Sequence, residues 1–213
     1  MELDTRMEPG PGILPPFVSS CAGTLAVDDH RQYFEAGRQC AAAAVRSLRG
    51  GPLATPVGRG AAGEPLWPEG LTGSITHKDG FVWAAVARTA DALSLGIDAE
   101  RRIDDGCAGR ISRVVALPQE RDAGGSALAP ALRIALLFSI KESVFKCLYP
   151  LVRKRFYYHA LEVRDIDASD GTFRGVLLEP LSPEFGEGRV IDGRLAIDRQ
   201  RVYTSVVLAA ERP

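Results

Sequence analysis

Asp98 and Glu100 stand two apart in Ser-Leu-Gly-Ile-Asp-Ala-Glu. On an extended strand alternate side chains leave on the same side, so both carboxylates face one way while Ile97 and Ala99 face the other. Carboxylates held close at neutral pH repel each other. A hard divalent ion such as Mg²⁺, often completed by phosphate oxygens, is a common relief. The plain alternative is a solvated strand face. A second group is Ser139, Glu142 and Lys146, at i, i+3 and i+7 of a helix. If exposed, the Glu142/Lys146 pair is an ordinary surface pair. Apolar Phe138, Ile140, Val144 and Phe145 bracket that stripe, however, which turns part of it toward an interior cleft. His77 closes Gly-Ser-Ile-Thr-His, after the hydroxyls of Ser74 and Thr76. A lone histidine is most often a structural hydrogen-bonder. Joined by Arg31, Arg38 and Arg59, it makes a cationic cluster suited to phosphate monoesters and diphosphates. Neither a P-loop nor G-x-G-x-x-G is present to bind them otherwise.

Stepping outward to the elements, residues 28–49 read as a helix. Asp28 and Asp29 suit its N-cap, and Tyr33, Gly37, Cys40, Ala41, Ala44, Val45 and Leu48 recur at helical spacing. Gly50 and Gly51 end it. Arg31, Glu35 and Arg38 share one of its faces, aiming two arginines together. Residues 51–70 read as a Gly/Pro-rich loop. A hairpin follows, with strands at residues 73–77 and 81–87 about a turn at Asp79-Gly80. A third strand at residues 93–99 is expected to pair antiparallel with them, because the connections are too short for crossovers. Residues 101–130 read as the boundary between two halves. Residues 131–149 form the clearest helix, with Pro150 beyond its end, and from Tyr157 on the chain alternates in short strand-like bursts.

The chain has 213 residues, 46% hydrophobic and 25% charged, with a formal net charge of -1. That suits one sizeable core or two small halves, and offers no global basic field for nucleic acid or an anionic membrane. No apolar run approaches a membrane span, and the opening residues 1–16 are acidic and proline-broken where a signal peptide is basic and apolar. The expected location is the cytoplasm. Cys21, Cys40, Cys107 and Cys147 form no C-x-x-C pair and read as free thiols. Lysines are few, so Lys141 and Lys146 within six residues stand out.

Taken together, Phe34-Glu35-Ala36-Gly37-Arg38, Leu66-Trp67-Pro68-Glu69-Gly70, Gly73-Ser74-Ile75-Thr76-His77, Gly96-Ile97-Asp98-Ala99-Glu100 and the run Phe138 to Lys146 resemble, in order and spacing, the 4′-phosphopantetheinyl transferases of the surfactin- and enterobactin-synthetase-activating type. The resemblance implies an α+β fold of two similar halves, each a helix plus an antiparallel sheet. Residues 1–104 would form one half and 105–213 the other, with the active site between them. It implies coenzyme A as substrate, an apo acyl- or peptidyl-carrier protein as partner, and Mg²⁺ held by Asp98, Glu100 and Glu142. It places Glu142, Lys146 and Asp98 in catalysis, and Arg31, Arg38, Arg59, Thr76, His77 and Lys146 on coenzyme A. A serine hydroxyl of the carrier attacks the pantetheine-bearing phosphorus and 3′,5′-ADP leaves. Glu120 in Leu-Pro-Gln-Glu matches an acidic position of the family between the halves. The basic-aromatic stretch Arg153-Lys154-Arg155-Phe156-Tyr157 is a candidate dock for the carrier. Two halves in one chain make a monomer sufficient. A non-catalytic coenzyme A binder and a Mg²⁺-dependent phosphohydrolase on the same fold are the alternatives.

Overall fold

A computed structural model describes residues 12–25, 30–51, 56–61, 63–121 and 128–210. The expected Asp28/Asp29 cap, and the first eleven residues of the proline-broken terminus, lie outside them. The first strand, β1 (Ser19–Thr24), leads to α1 (His30–Arg49), whose helical-period face is the one the sequence marks: Tyr33, Ala36, Cys40, Ala41, Ala44 and Val45 are buried. Gly50, at φ +74, ends it. The Gly/Pro-rich loop contains a two-residue ladder between β2 (Gly58–Arg59) and β3 (Pro65–Leu66).

The expected hairpin forms from β4 (Leu71–Lys78) and β5 (Phe81–Arg88), around Asp79 at φ +46 and Gly80 at φ +77. Two positive φ angles in succession match the right-handed twist of the flanking strands. Strand β5 is buried on both faces. Phe81, Trp83, Ala85 and Ala87 face one cluster, while Val82 and Ala84 face α1. Each large apolar side chain so buried contributes roughly 1.5–3 kcal/mol.

The third strand departs from expectation. β6 (Ala92–Arg101) does not join the hairpin, whose sheet has the order β1-β5-β4. It pairs antiparallel with β10 (Arg201–Ala209), at the edge of a five-stranded sheet ordered β6-β10-β9-β8-β7. The remaining strands are β7 (Leu161–Asp167), β8 (Thr172–Leu177) and β9 (Val190–Ile197), matching the alternating bursts. A long ladder from Arg201↔Arg101 to Leu208↔Ser94 outcompetes the local pairing. Burial agrees: Leu95, Ile97, Ala99 and Tyr203 share one cluster with Phe81 and Trp83.

Residues 101–130 are more structured than their composition implies. α2 (Asp105–Val115) is capped by Asp104, whose carboxylate accepts from Cys107 N at 2.7 Å, and α3 (Pro118–Arg121) is a single short turn. Gly106 and Gly109 hide α2 from a propensity reading. The helix predicted at residues 131–149 is α4 (Pro130–Val152). It runs through Pro150 and stops at Arg153, which is left-handed at φ +52. All four cysteines are free thiols. Among the described residues no helix is long and apolar enough to cross a membrane.

Candidate functional site

Edge strands β4 and β6 lie side by side without a backbone ladder. Side-chain hydroxyls bridge them instead: Ile97 N donates to Ser74 Oγ at 3.2 Å, and Thr76 Oγ1 donates to Asp98 Oδ1 at 3.0 Å. On its other face β6 meets α4, and glycine makes this contact possible. A Cβ at position 96 would overlap the Ser143 carbonyl oxygen and sit 2.5 Å from the Cys147 nitrogen. Close packing there brings Asp98, two residues along, within reach of α4.

Lys146 closes the arrangement. Its ammonium donates to Asp98 Oδ1 at 2.6 Å and to Thr76 Oγ1 at 3.1 Å. Lys146 makes no surface pair with Glu142 but an ion pair across the seam, as the apolar residues bracketing the stripe imply, with the Asp98 side chain 3% exposed and Lys146 25% exposed. Burying a carboxylate is costly without a partner, and this charge-assisted bond supplies one. Asp98 Oδ2 is buried with no hydrogen-bond partner. Thr76, expected on coenzyme A, is buried as the polar link between Asp98 and Lys146.

Glu100 lies on the same face of β6, with Lys78 3.8 Å away. Burial first, and then the Asp98 charge, push its carboxyl up to about 7. Glu142 comes from the other side and accepts from the Tyr158 hydroxyl at 2.7 Å. Tyr158 opens a 3₁₀ turn, Tyr158–Ala160. Its phenol is pushed above the ordinary range by burial, by its bond to Glu142 and by the negative fields of Glu142, Asp98 and Glu100. All three carboxylates therefore act electrostatically on one hydroxyl. Among the described residues, no group of three or more His, Cys, Asp or Glu side chains is gathered closely enough to hold a metal ion.

Three cavities open on this centre. One of about 520 Å³ runs from Trp67 and Gly73–Ile75 to Lys146, Tyr149 and Arg155. A second, of about 200 Å³, reaches Glu142 and Tyr158 past Phe156. The third, of about 430 Å³, reaches Glu100 past Ile111 and Phe138.

The cationic cluster is assembled in part. Arg38 lies 4.7 Å and Arg59 5.7 Å from the Phe34 ring centroid, one aromatic shelf carrying both guanidinium groups. Arg38 donates to Gly58 O at 2.8 Å, and its Nε is buried without a partner. Arg31 ion-pairs with Glu35 at 3.2 Å on the exposed face of α1. His77 stacks on Tyr33 with centroids 5.1 Å apart.

Two residues noted in the sequence outside the expected site set, Ser139 and Glu120, have structural partners. Ser139 is buried against β10, sharing a 2.9 Å hydrogen bond with Thr204. Glu120 is a structural anchor. It accepts from Leu117 N at 2.7 Å, Val163 N at 2.6 Å and Lys141 Nζ at 2.6 Å, so its carboxylate is fully engaged. Tyr158 is the residue that sequence reasoning missed for this site. Its only signal in the sequence is its place in the aromatic run Phe156-Tyr157-Tyr158 that follows α4.

Two antiparallel sheets, each backed by a helix and joined through a part-buried carboxylate-ammonium centre, define an α+β enzyme with its polar site at the sheet seam. Comparison with known proteins makes the assignment specific. A family model described as the 4′-phosphopantetheinyl transferase N-terminal domain matches residues 22–87, and one described as the 4′-phosphopantetheinyl transferase superfamily matches residues 94–198. The 4′-phosphopantetheinyl transferase Svp of Streptomyces mobaraensis is 42% identical over 192 residues, covering 87% of this chain and 75% of its own length. Npt of Nocardia iowensis is 32% identical over 194 residues, covering 86% and 85%. PptT of Mycobacterium tuberculosis is 30% identical over 203 residues, covering 93% and 88%. The chain belongs to the 4′-phosphopantetheinyl transferase family, and it is a transferase that moves phosphopantetheine to carrier proteins.

Proposed function

We propose that the seam centre performs this transfer from coenzyme A to a serine of an apo acyl- or peptidyl-carrier protein, releasing 3′,5′-ADP. The observation that carries the reading is the part-buried Lys146–Asp98 pair at 2.6 Å, with Glu100 on the same face of β6 and Glu142 of α4 held by the Tyr158 hydroxyl. The donor atoms are of the kind a hard divalent cation takes, although the three carboxylates are not gathered closely enough in this structure to enclose one. The site offers carboxylate oxygens, an unpartnered buried Asp98 Oδ2, and a Glu100 whose ionisation is opposed first by burial and then by the Asp98 charge. Asp98, Glu100 and Glu142 would hold Mg²⁺, which when bound supplies neutralisation of the diphosphate charge.

The chain's own groups do the rest. Lys146, partly exposed toward the cavity of about 520 Å³, donates to phosphate oxygens and stabilises the charge that builds on the leaving group. Thr76 holds Lys146 and Asp98 in register. Glu142 accepts the serine proton, directly or through a water, and Tyr158 orients it. Arg38 and Arg59 on Phe34, with Arg31 and His77, receive the nucleotide end of coenzyme A. Residues 1–104 and 105–213 serve as the two functional halves, although β6 hydrogen-bonds within the second sheet. The protein acts as a cytoplasmic monomer, without nucleic acid or membrane as partner.

The test is incubation with coenzyme A, Mg²⁺ and an apo carrier, followed by mass spectrometry of the carrier. A gain of the phosphopantetheine mass, abolished by a chelator and restored by Mg²⁺, is the expected result. Coenzyme A cleavage without a carrier would point to hydrolysis, and an unchanged carrier with intact coenzyme A to binding alone. Either would overturn the proposal.

A further inference from the structure

A second cationic concavity, of about 410 Å³, lies away from Lys146. It is lined by Asp79, Arg101, Arg102, Arg199, Gln200 and Arg201. None of these residues lines the cavity that contains Lys146, while Asp79 and Arg101 also border the cavity that reaches Glu100. Three segments build it: the β4–β5 turn, the end of β6, and the turn that joins β9 to β10. The backbone fixes their positions. Arg101 and Arg201 are cross-strand partners, Arg102 N donates to Gln200 O at 2.8 Å, and Arg201 Nη2 donates to Asp79 O at 2.6 Å.

Like charges directly opposite on adjacent strands destabilise a sheet. Among the described residues, no carboxylate ion-pairs with any of these four arginines. The carboxylate of Asp198, in the same turn, is taken up by Gln200 N and Arg201 N at 2.7 Å each and by the Tyr203 hydroxyl at 2.8 Å. Arg201 is only 7% exposed and lies 5.0 Å from the Phe81 ring centroid, and its Nη1 is buried with no hydrogen-bond partner. A buried donor without an acceptor is costly, more so when it carries charge.

We propose that this concavity binds a tetrahedral dianionic oxyanion, either free phosphate or the phosphate of a small phosphomonoester. Guanidinium groups arriving from two chain segments, Arg101 and Arg102 at the end of β6 and Arg199 and Arg201 at the β9–β10 turn, suit a group with acceptor oxygens in several directions better than one planar carboxylate. The volume leaves room beside the phosphate for a small organic moiety. Binding joins the two arginine-bearing segments and offsets the repulsion between their guanidinium groups.

The test is isothermal titration of the whole protein with inorganic phosphate, and separately with glycerol 3-phosphate, at matched ionic strength. Three proteins are compared: wild type, Lys146→Gln, and the double variant Arg101→Gln/Arg199→Gln. Both arginines of the double variant are exposed, and circular dichroism checks its fold. Saturable binding is expected in the wild type and in Lys146→Gln, weakened about tenfold or more in the double variant. Tighter binding of glycerol 3-phosphate would favour a monoester, and equal binding free phosphate. Absence of saturable binding, loss with Lys146→Gln, or a double variant that binds like wild type would each overturn the proposal.

Discussion

At the scale of single residues, the centre depends on which partner each charge takes. Sequence spacing correctly turns Asp98 and Glu100 to one face, because strand alternation is fixed by backbone geometry. It cannot say that Lys146 spans the seam to Asp98 and leaves Glu142 to Tyr158, since that choice is made by tertiary packing between segments far apart in the chain. Tyr158 is a positioning residue for Glu142. Tyr158→Phe should lower kcat several-fold with little change in the coenzyme A KM, and cost about 1.5–3 kcal/mol for a hydrogen bond to a charged group. Steady-state kinetics and urea unfolding check both. An unchanged kcat in Tyr158→Phe would leave the phenol a purely structural role.

At the scale of elements, the α1 face, the hairpin turn and the α4 stripe were legible, because each is a local periodicity or a turn signal. Strand β6 was not, since the residues that claim it lie on β10, about a hundred positions further on. Helix α2 was masked by its glycines, and α4 runs through Pro150 to end two residues later, at Val152, before the left-handed Arg153. The contact that places the site is the glycine crossing of β6 and α4. Gly96→Ala should push the two apart, costing about 1–3 kcal/mol by overpacking and depressing transfer beyond the stability loss. Denaturation midpoints and assays at a temperature where the variant remains folded separate the two effects.

The Glu120–Lys141 pair, with both side chains 1% exposed, ties α3 to α4. Burial first lowers the Lys141 pKa, and the Glu120 charge works against that shift. Removing one partner, as in Glu120→Ala, should cost about 3–5 kcal/mol, while replacing both with apolar residues should cost much less. Unfolding of the single and double variants decides. Equal losses would show that the charge left behind is not the cause.

At the scale of the whole molecule, the proposed function brings coenzyme A and carrier together at the seam between the sheets, and the basic-aromatic stretch lines two of the cavities there. Arg153 pairs with Glu64 at 3.2 Å, while Arg155 lines two of the cavities and Tyr157 is exposed. Reversing charge in Arg153→Glu/Arg155→Glu should raise the carrier KM and spare that for coenzyme A. A raised coenzyme A KM would assign the two arginines to the coenzyme A cavity instead. The central claim is that carboxylates from β6 and α4 serve one metal. Mn²⁺, a spectroscopic stand-in for Mg²⁺, can be titrated by electron paramagnetic resonance in the presence of coenzyme A into wild type, Asp98→Asn, Glu100→Gln and Glu142→Gln. The account predicts one tight site in the wild type, weakened about tenfold or more in every variant. Wild-type affinity in Glu142→Gln, or in either β6 variant, would contradict it.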